Sequence, residues 1–427
     1  MTELRISVKN EAGDGGTYLT PFFAGFHDGA FDLFEKGQAA SAGLEALAED
    51  GNFAPLGAEL AAASAGAQTA VAGGAPIRPG QVVSTTVHVN GSLNAYAVLG
   101  AMVLPSNDAF VGTADPLKLF SGTGRFLGEQ TIKFAGSNVY DAGTEVNSEQ
   151  ASDVPLIGQS SPNTGATEGG VVDLHVGFNG SLGNPGGNQG ILGATNAFGE
   201  IVDPVAADFT RPDAEIATVH INTVERTEGS DRRDFISGSR SDDIVNAGDG
   251  NDLIFGRSGW DVLNGEDGND RIFGGRGDDE INGGNGRDYL VGGSGDDRID
   301  GGAGRDKLLG GKGDDLLNGG EGRDWISGGS GDDTIGGGTG RDYLFGGRGN
   351  DTFVFVAGDG HDHIGDFDRK GDDRLFIDVE GVDDFADLLQ LAEEHGHGVS
   401  LDFGADGSLY LARTSIDSLE ESDFLFA

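Results

Sequence analysis

The chain has 427 residues, 71 acidic against 27 basic side chains, and a formal charge of -44. Charge on that scale opposes compaction unless counter-charge is supplied, and it disfavours nucleic acid and anionic lipid as direct partners. There is no cysteine, so no disulfide can staple the fold, and no apolar run approaches the ~18 residues of a membrane span. Glycine is in large excess, at 78 residues. Acid and glycine together would ordinarily point to disorder, but here the glycines are ordered along the chain.

The chain opens MTELRISVKN, which has no charged-then-apolar leader pattern and reads at once as a strand. Across 1–226, apolar alternation at 4–8, 82–89, 95–103 and 216–224 predicts strands. Two helices are expected over 39–49 and 55–63. A Gly/Asn/Ser-rich stretch at 146–200 reads as long loops. The expected class is all-β: a β-sandwich with short helices.

From 227 to 355 the sequence repeats with a period of nine. Aspartate recurs at Asp234, Asp243, Asp252, Asp261, Asp270, Asp279, Asp288, Asp297, Asp306, Asp315, Asp324, Asp333, Asp342 and Asp351, with an apolar residue two positions after nearly every one. From Gly274 a G-G-x-G-x-D turn recurs unbroken, whereas Arg232 and Ser241 replace its third glycine in the first units. Six residues make a turn and three a short strand, so one nonapeptide is half a coil and equivalent positions recur every eighteen residues. The residue before Asp alternates in support of this: Asp278, Arg287, Asp296, Arg305, Asp314, Arg323, Asp332, Arg341. The roll therefore has one Asp-Asp edge and one Arg-Asp edge. A disordered Gly/Asp linker would not keep Asp, Gly and the apolar site in phase.

A roll with one branched side chain per half-coil has too thin a core to offset the ordering of nine residues. Calcium supplies what is missing, because it takes 6–8 oxygens and stacked turns offer carboxylates and carbonyls. The expected ligands are the aspartates from Asp243 to Asp351, each bridging to its neighbour one coil away. That allows at most about 12 ions, whose ~24 positive charges would offset roughly half of the formal -44. This repeat closely resembles the RTX family, whose nonapeptide binds calcium in a parallel β-roll.

Residues 356–427 leave the repeat and are expected to form a small mixed α/β cap. GDGHDHIGDF (358–367) resembles the unit that closes RTX rolls, which makes Asp362 and Asp366 candidate terminal ligands. An amphipathic helix is expected near 383–395 and a strand at 408–412. The acidic-then-aromatic tail EESDFLFA looks like an uncleaved type I secretion signal. That resemblance implies export by the type I machinery and a secreted, extracellular or surface-associated location. It would also account for the missing N-terminal signal and the missing cysteines.

Four passages of the N-terminal half, TPFFAGFH (20–27), LFEKGQAAS (33–41), VLPSNDAFVG (103–112) and YDAGTE (140–145), together resemble the spondin N-terminal domain. The resemblance spans roughly 3–224. It implies a C2-like β-sandwich of extracellular adhesive proteins, and a calcium held at positions that correspond to Asp108, Asp141 and Glu145. Three carboxylates from two loops suit calcium if carbonyls or water complete the shell, although Asp141-Ala-Gly-Thr read alone is equally a plain turn.

Catalysis finds little support. There is no H-E-x-x-H, no G-x-S-x-G and no cysteine nucleophile. The pairs His361/His363 and His395/His397 lack third-ligand spacing for zinc, and His27 reads as structural. Tyr289, Trp325 and Tyr343 fall on one face at multiples of eighteen, as an aromatic stripe for a sugar or partner or as ordinary strand-face aromatics. The expected protein is a non-enzymatic, secreted calcium binder with an adhesive head for a matrix, glycan or cell-surface ligand. The alternatives are a calcium-dependent glycan or membrane binder acting through the C2-like domain, and an enzyme with an unrecognised site in 1–226.

Overall fold

The structure is a computed structural model describing residues 1–12, 17–104, 109–135, 139–141, 173–174, 214–367 and 373–426, with main chain alone at 49–50, 141 and 173–174. It is predominantly β, and the chain divides into two compact units, Met1–Thr223 and Val224–Ala427. Among the described residues no helix is long and apolar enough to cross a membrane.

The first unit contains two antiparallel sheets. Strand β1 (Thr2–Asn10) lies between β5 (Val82–Val89) and β12 (Glu215–Glu228), and β9 (Gln130–Ala135) pairs on β12. The second sheet runs β11 (Asp173–Leu174), β10 (Val139–Asp141), β7 (Ala109–Gly112), β6 (Tyr96–Leu104), β3 (Phe22–His27), β4 (Gln68–Ala72). Two short strands, β2 (Tyr18–Leu19) and β8 (Leu117–Lys118), also pair with β6. Leu4, Ile6 and Val8 of β1 share one buried cluster with Phe22, Ala24 and Phe26 of β3 and Leu99, Ala101 and Val103 of β6.

The predicted alternation at 95–103 is not what this strand shows, because nearly every residue of β6 is buried. The reason is a third layer. Val98 of β6, Phe23 of β3 and Phe110 of β7 pack against Leu44 and Leu47 of α1 (Ala42–Asp50) and Leu56 and Leu60 of α2 (Ala54–Ala63). A strand covered on both faces reads as a continuous apolar run. The helices form where residue type predicts them. Ser41 caps α1 by accepting from the Leu44 N–H at 3.1 Å, Gly51 ends it at φ 64°, and Pro55 sits in the first turn of α2. The loops expected over 146–200 fall outside the described residues except at 173–174, which form β11.

The second unit is a β-solenoid with an eighteen-residue coil. Strands pair in parallel with the strand one coil on, as in Ile272↔Leu290 and Ile281↔Ile299. This pairing already starts at Val224, which lies opposite Asp242. The apolar residue after each turn points inward: Ile254, Leu263, Ile272, Ile281, Leu290, Ile299, Leu308, Leu317, Ile326, Ile335 and Leu344 are all buried. The turn glycines are required by stacking as much as by φ. Gly304 adopts φ 147°, and a Cβ there would sit 1.5 Å from the Gly286 carbonyl oxygen below. Arg257 and Glu266 hold positive φ where later coils have glycine, which marks the early coils as strained.

The cap continues the stack. Gly360–Ile364 pairs in parallel with Tyr343 and Leu344 on one side and with Gly407–Ala412 on the other. Arg374–Asp378 lies between Thr352–Val356 and Phe424–Phe426. The helix expected over 383–395 is shorter than expected. It spans Phe385–Gln390, and Ala392–His395 is instead a strand antiparallel to Gly398–Asp402. Val399 and Leu401 are buried in the cap, and their strand takes 392–395 as its partner across a turn with Gly396 at φ 63°.

Candidate metal centre

Each repeat aspartate is fixed by its neighbour one coil away. On the Asp-Asp edge the N–H of Asp279 donates to Oδ1 of Asp297 at 2.9 Å, and Asp297 to Asp315 at 2.8 Å, Asp315 to Asp333 at 2.9 Å and Asp333 to Asp351 at 3.0 Å. The Arg-Asp edge repeats this through Asp252, Asp270, Asp288, Asp306, Asp324 and Asp342 at 2.7–2.9 Å. One oxygen of each carboxylate is thus spent on the stack.

The other oxygen is left over. Oδ2 of Asp252, Asp270, Asp279, Asp288, Asp297, Asp306, Asp315, Asp324, Asp333 and Asp342 is buried without a hydrogen-bond donor. A buried carboxylate oxygen with no partner is costly, so a row of them demands a cation or a proton. The missing side chain of the first turn glycine leaves room for one. The position of a Cβ on Gly265 would lie 2.5 Å from Asp270 Oδ2 and 2.6 Å from the Gly283 carbonyl oxygen one coil on. At Gly310 the same two groups are Asp315 Oδ2 and the Gly328 carbonyl, at 2.2 and 2.7 Å. Carboxylate and carbonyl oxygens therefore converge at the turns, in the all-oxygen chemistry a hard divalent cation takes. The residues fit calcium on these grounds. Among the described residues no group of three or more His, Asp or Glu side chains could hold a metal by itself, so the main chain must supply much of each shell.

Protonation responds to the same crowding. Burial pushes the carboxyls of Asp270, Asp315 and Asp324 up to about 7, and those of Asp297, Asp333 and Asp362 up to about 8. Asp288, Asp306, Asp342 and Asp351 are raised to about 6, and Asp279 well above the usual range. Repulsion from neighbouring aspartates adds to burial at these positions, as from Asp288 at Asp270 and from Asp351 at Asp333. Arg287, Arg305 and Arg323 exert a smaller, opposite pull on Asp306, Asp324 and Asp342.

The ends of the two columns differ from the middle. In the first coils serine stands at the second glycine of the turn, and its main-chain N–H reaches the free carboxylate oxygen. Ser239 donates to Asp243 Oδ2 at 2.7 Å, and Ser230 to Asp234 Oδ2 at 2.7 Å. Asp243 thus already holds a protein donor where Asp297 holds none. Asp261 stands in the column between them, its N–H donating to Asp279 Oδ1 at 2.9 Å. At the far end Asp362 accepts from the Asp342 N–H at 2.9 Å and Asp366 from the Gly346 N–H at 3.0 Å. The residue that closes the Asp-Asp column is Asp373, whose Oδ1 accepts from Asp351 N–H at 3.0 Å. It lies twenty-two residues after Asp351 and so escapes the period of nine. A second ladder on the same edge also goes beyond the sequence reading. The N–H of Asp296, Asp314 and Asp332 donates to Oδ1 of Asp278, Asp296 and Asp314 respectively, in the opposite sense to the first ladder.

In the N-terminal unit, Asp108 and Glu145 lie outside the described residues, and Asp141 is described by its main chain alone. That main chain is informative. Asp141 pairs with Ala109, the residue following Asp108, and on its other side with Asp173. The two motifs therefore meet on adjacent strands, with an acid beside them that sequence reasoning did not single out. His27 is buried, accepts from the Gly29 N–H at 3.1 Å, packs against Phe31 and Tyr96, and has its pKa lowered by burial. In the cap, His361 contacts Ser408 at 2.9 Å, His363 lies between Tyr343 and Tyr410, and His395 faces Glu393 at 3.3 Å.

The family model of the RTX calcium-binding nonapeptide repeat (4 copies) matches residues 228–259, 255–290, 282–317, 291–326 and 318–353. The Spondin_N model matches residues 15–161. No curated protein matches the chain. Among solved structures, the extracellular lipase LipA from Serratia marcescens aligns at 20% identity and a TM-score of 0.21. That alignment covers 48% of this chain and 40% of the lipase, and a likeness at that score carries no argument. The repeat match supports calcium binding in the coils that bury these carboxylates. The chain thus carries a Spondin_N domain followed by RTX calcium-binding repeats folded as a β-solenoid.

Proposed function

We propose that the protein is a secreted, non-enzymatic calcium binder in which the solenoid is a calcium-triggered stalk and the Spondin_N unit an adhesive head. The observation that carries this reading is the row of buried, donor-less Asp Oδ2 atoms. At low calcium that row repels itself and favours the unfolded chain. At the calcium level outside cells, near the 10⁻⁴–10⁻³ M affinity of extracellular modules, the ions hold the coils together. Such a chain stays extended for export by a type I machinery and folds only afterwards. In the head, Asp108, Asp141 and Glu145 would hold a further calcium beside the surface that meets a matrix, glycan or cell-surface ligand. The register of Asp141 with Ala109 supports this grouping.

Far-ultraviolet circular dichroism of the full chain tests the trigger. Chelator should collapse much of the β signal and added calcium should restore it, whereas a spectrum indifferent to chelator would sink the mechanism. The head is tested by retention of the chain on immobilised matrix and glycans. Retention should fall in the Asp108→Ala, Asp141→Ala double variant, and unchanged retention would remove the head calcium from the account.

A further inference from the structure

One strip of the solenoid surface contradicts the acidity of the chain. On the Arg-Asp edge, Arg287, Arg305 and Arg323 stand one coil apart, their main chains locked by Arg305 N–H to Gly286 O at 3.2 Å and Arg323 N–H to Gly304 O at 3.3 Å. The equivalent places on the other edge hold Asp278, Asp296 and Asp314. Beside the arginines, Tyr289, Lys307, Trp325 and Tyr343 form a column in strict register, one residue per coil. Strand spacing sets both columns at about 4.8 Å per step.

Two of the cations, Lys307 and Arg323, are held in place by aromatic rings. Lys307 Nζ lies 4.4 Å from the centre of the Trp325 ring and 5.6 Å from that of Tyr289. Arg323 sits 5.4 Å from the Tyr343 ring centre and donates to its hydroxyl at 3.3 Å. Cation–π contact of this kind fixes a long side chain without neutralising it. Arg287, Arg305, Lys307, Arg323, Trp325 and Tyr343 line a groove of about 400 Å³, together with the stack aspartates Asp306 and Asp324. Trp325 is 36% exposed and offers an apolar wall.

We infer that this strip is a binding groove for a linear carboxylated polysaccharide of uronic-acid type, laid along the solenoid axis. A hexopyranose residue advances such a polymer by about one strand spacing, so carboxylates on the same side of the polymer fall a whole number of coils apart and can meet cations of the strip. The ring faces of the sugars are apolar enough to lie on Trp325 and Tyr343. A flat anionic membrane or a rigid duplex would face the whole -44 charge of the chain, whereas a slender polymer meets mainly the cationic strip. The inference rests on the calcium-loaded roll, because calcium offsets the carboxylates of Asp306, Asp324 and Asp342 beside the arginines, while Glu266, Asp267 and Glu321 of the same edge line a separate groove.

The test is titration of the full chain in calcium with short oligogalacturonates and with their methyl-esterified, neutral counterparts, circular dichroism being recorded on the same samples. The charged form should bind, weaken with salt and exceed the neutral form. Arg305→Gln with Lys307→Gln should weaken binding about tenfold or more, and Trp325→Ala several-fold, with the β signal intact. Equal binding by the double variant would mean that calcium bridges the uronate elsewhere and would overturn the strip. Equal binding of the ester, equal binding of a single-stranded oligonucleotide, or no binding by a chain whose β signal is intact would overturn it too. A chain lacking β signal in calcium would instead remove the folding mechanism, and the groove with it.

Discussion

The two units bury opposite things. Between its sheets the N-terminal unit buries Leu4, Ile6, Phe22, Phe26 and Leu99, and it caps and staples its helices with Ser41, Gly51 and Pro55. Each such side chain contributes about 1.5–3 kcal/mol, and nothing outside the chain is needed to realise it. The solenoid buries one Ile or Leu per half-coil beside one carboxylate per half-coil. Its apolar ladder is regular but thin, and the carboxylate column works against it until a cation arrives. The described core of one unit is therefore apolar side chain on apolar side chain, whereas the other sets a carboxylate beside every apolar layer.

Acidity gives the largest way to break that comparison. Burial raises the folded-state pKa of Asp270, Asp297, Asp315, Asp324 and Asp333 to about 7–8, against ~3.9 for an exposed aspartate. Protons then bind the folded roll more tightly than the unfolded one, so without calcium the roll gains stability as pH falls from about 8 toward 4 and loses it again as pH rises. In chelator, acidification from pH 8 to 5 should recover part of the β signal. With calcium the sign reverses, because protons compete for the same oxygens and apparent calcium affinity falls. A chelated roll that loses β signal on acidification would show that the carboxylates are not the obstacle.

Core truncation sharpens the contrast. Leu99→Ala and Leu308→Ala each remove a fully buried leucine and should cost about 2–5 kcal/mol. For Leu99→Ala the loss should appear in denaturant titrations with or without calcium. For Leu308→Ala it should appear only with calcium, as a lower unfolding midpoint. The smallest effect separates positions within the column. Asp297→Asn should weaken calcium binding yet ease folding in chelator, since it removes a buried charge. Asp243→Asn should do less of both, because Ser239 already donates to its second oxygen. Equal effects at the two positions would mean that the free Oδ2 is not what distinguishes the sites.

Much of the solenoid was legible because its period is enforced by contact: the carbonyl of Gly286 forbids a side chain on Gly304, and Ile281 must stack on Ile299. What escaped was set by exceptions to that period. Asp373 closes a column from outside the phase, and Ser239 caps Asp243 through a main-chain N–H that no residue pattern announces. Lys307 was not singled out in the sequence, and only its register with Tyr289 and Trp325 places it over both rings. In the sandwich, alternation placed β5 and β12, but β12 is buried without a break from Ile216 to Asn222, and so is most of β6, whose second face is covered by α1 and α2. The strand β3 was quoted for its motif and not for its structure, since FFAGFH is buried throughout and shows no alternation.

Amide hydrogen exchange read by mass spectrometry on the full chain, with calcium and with chelator, tests the division between the two units most directly. The amides of Asp279, Asp297, Asp315 and Asp333 donate to neighbouring carboxylates only in the stacked roll. Segments containing them should be protected in calcium and exchange rapidly in chelator, while β1 and β6 keep their protection in both. Solenoid segments equally protected in the two conditions, or β1 and β6 losing protection along with them, would contradict the account.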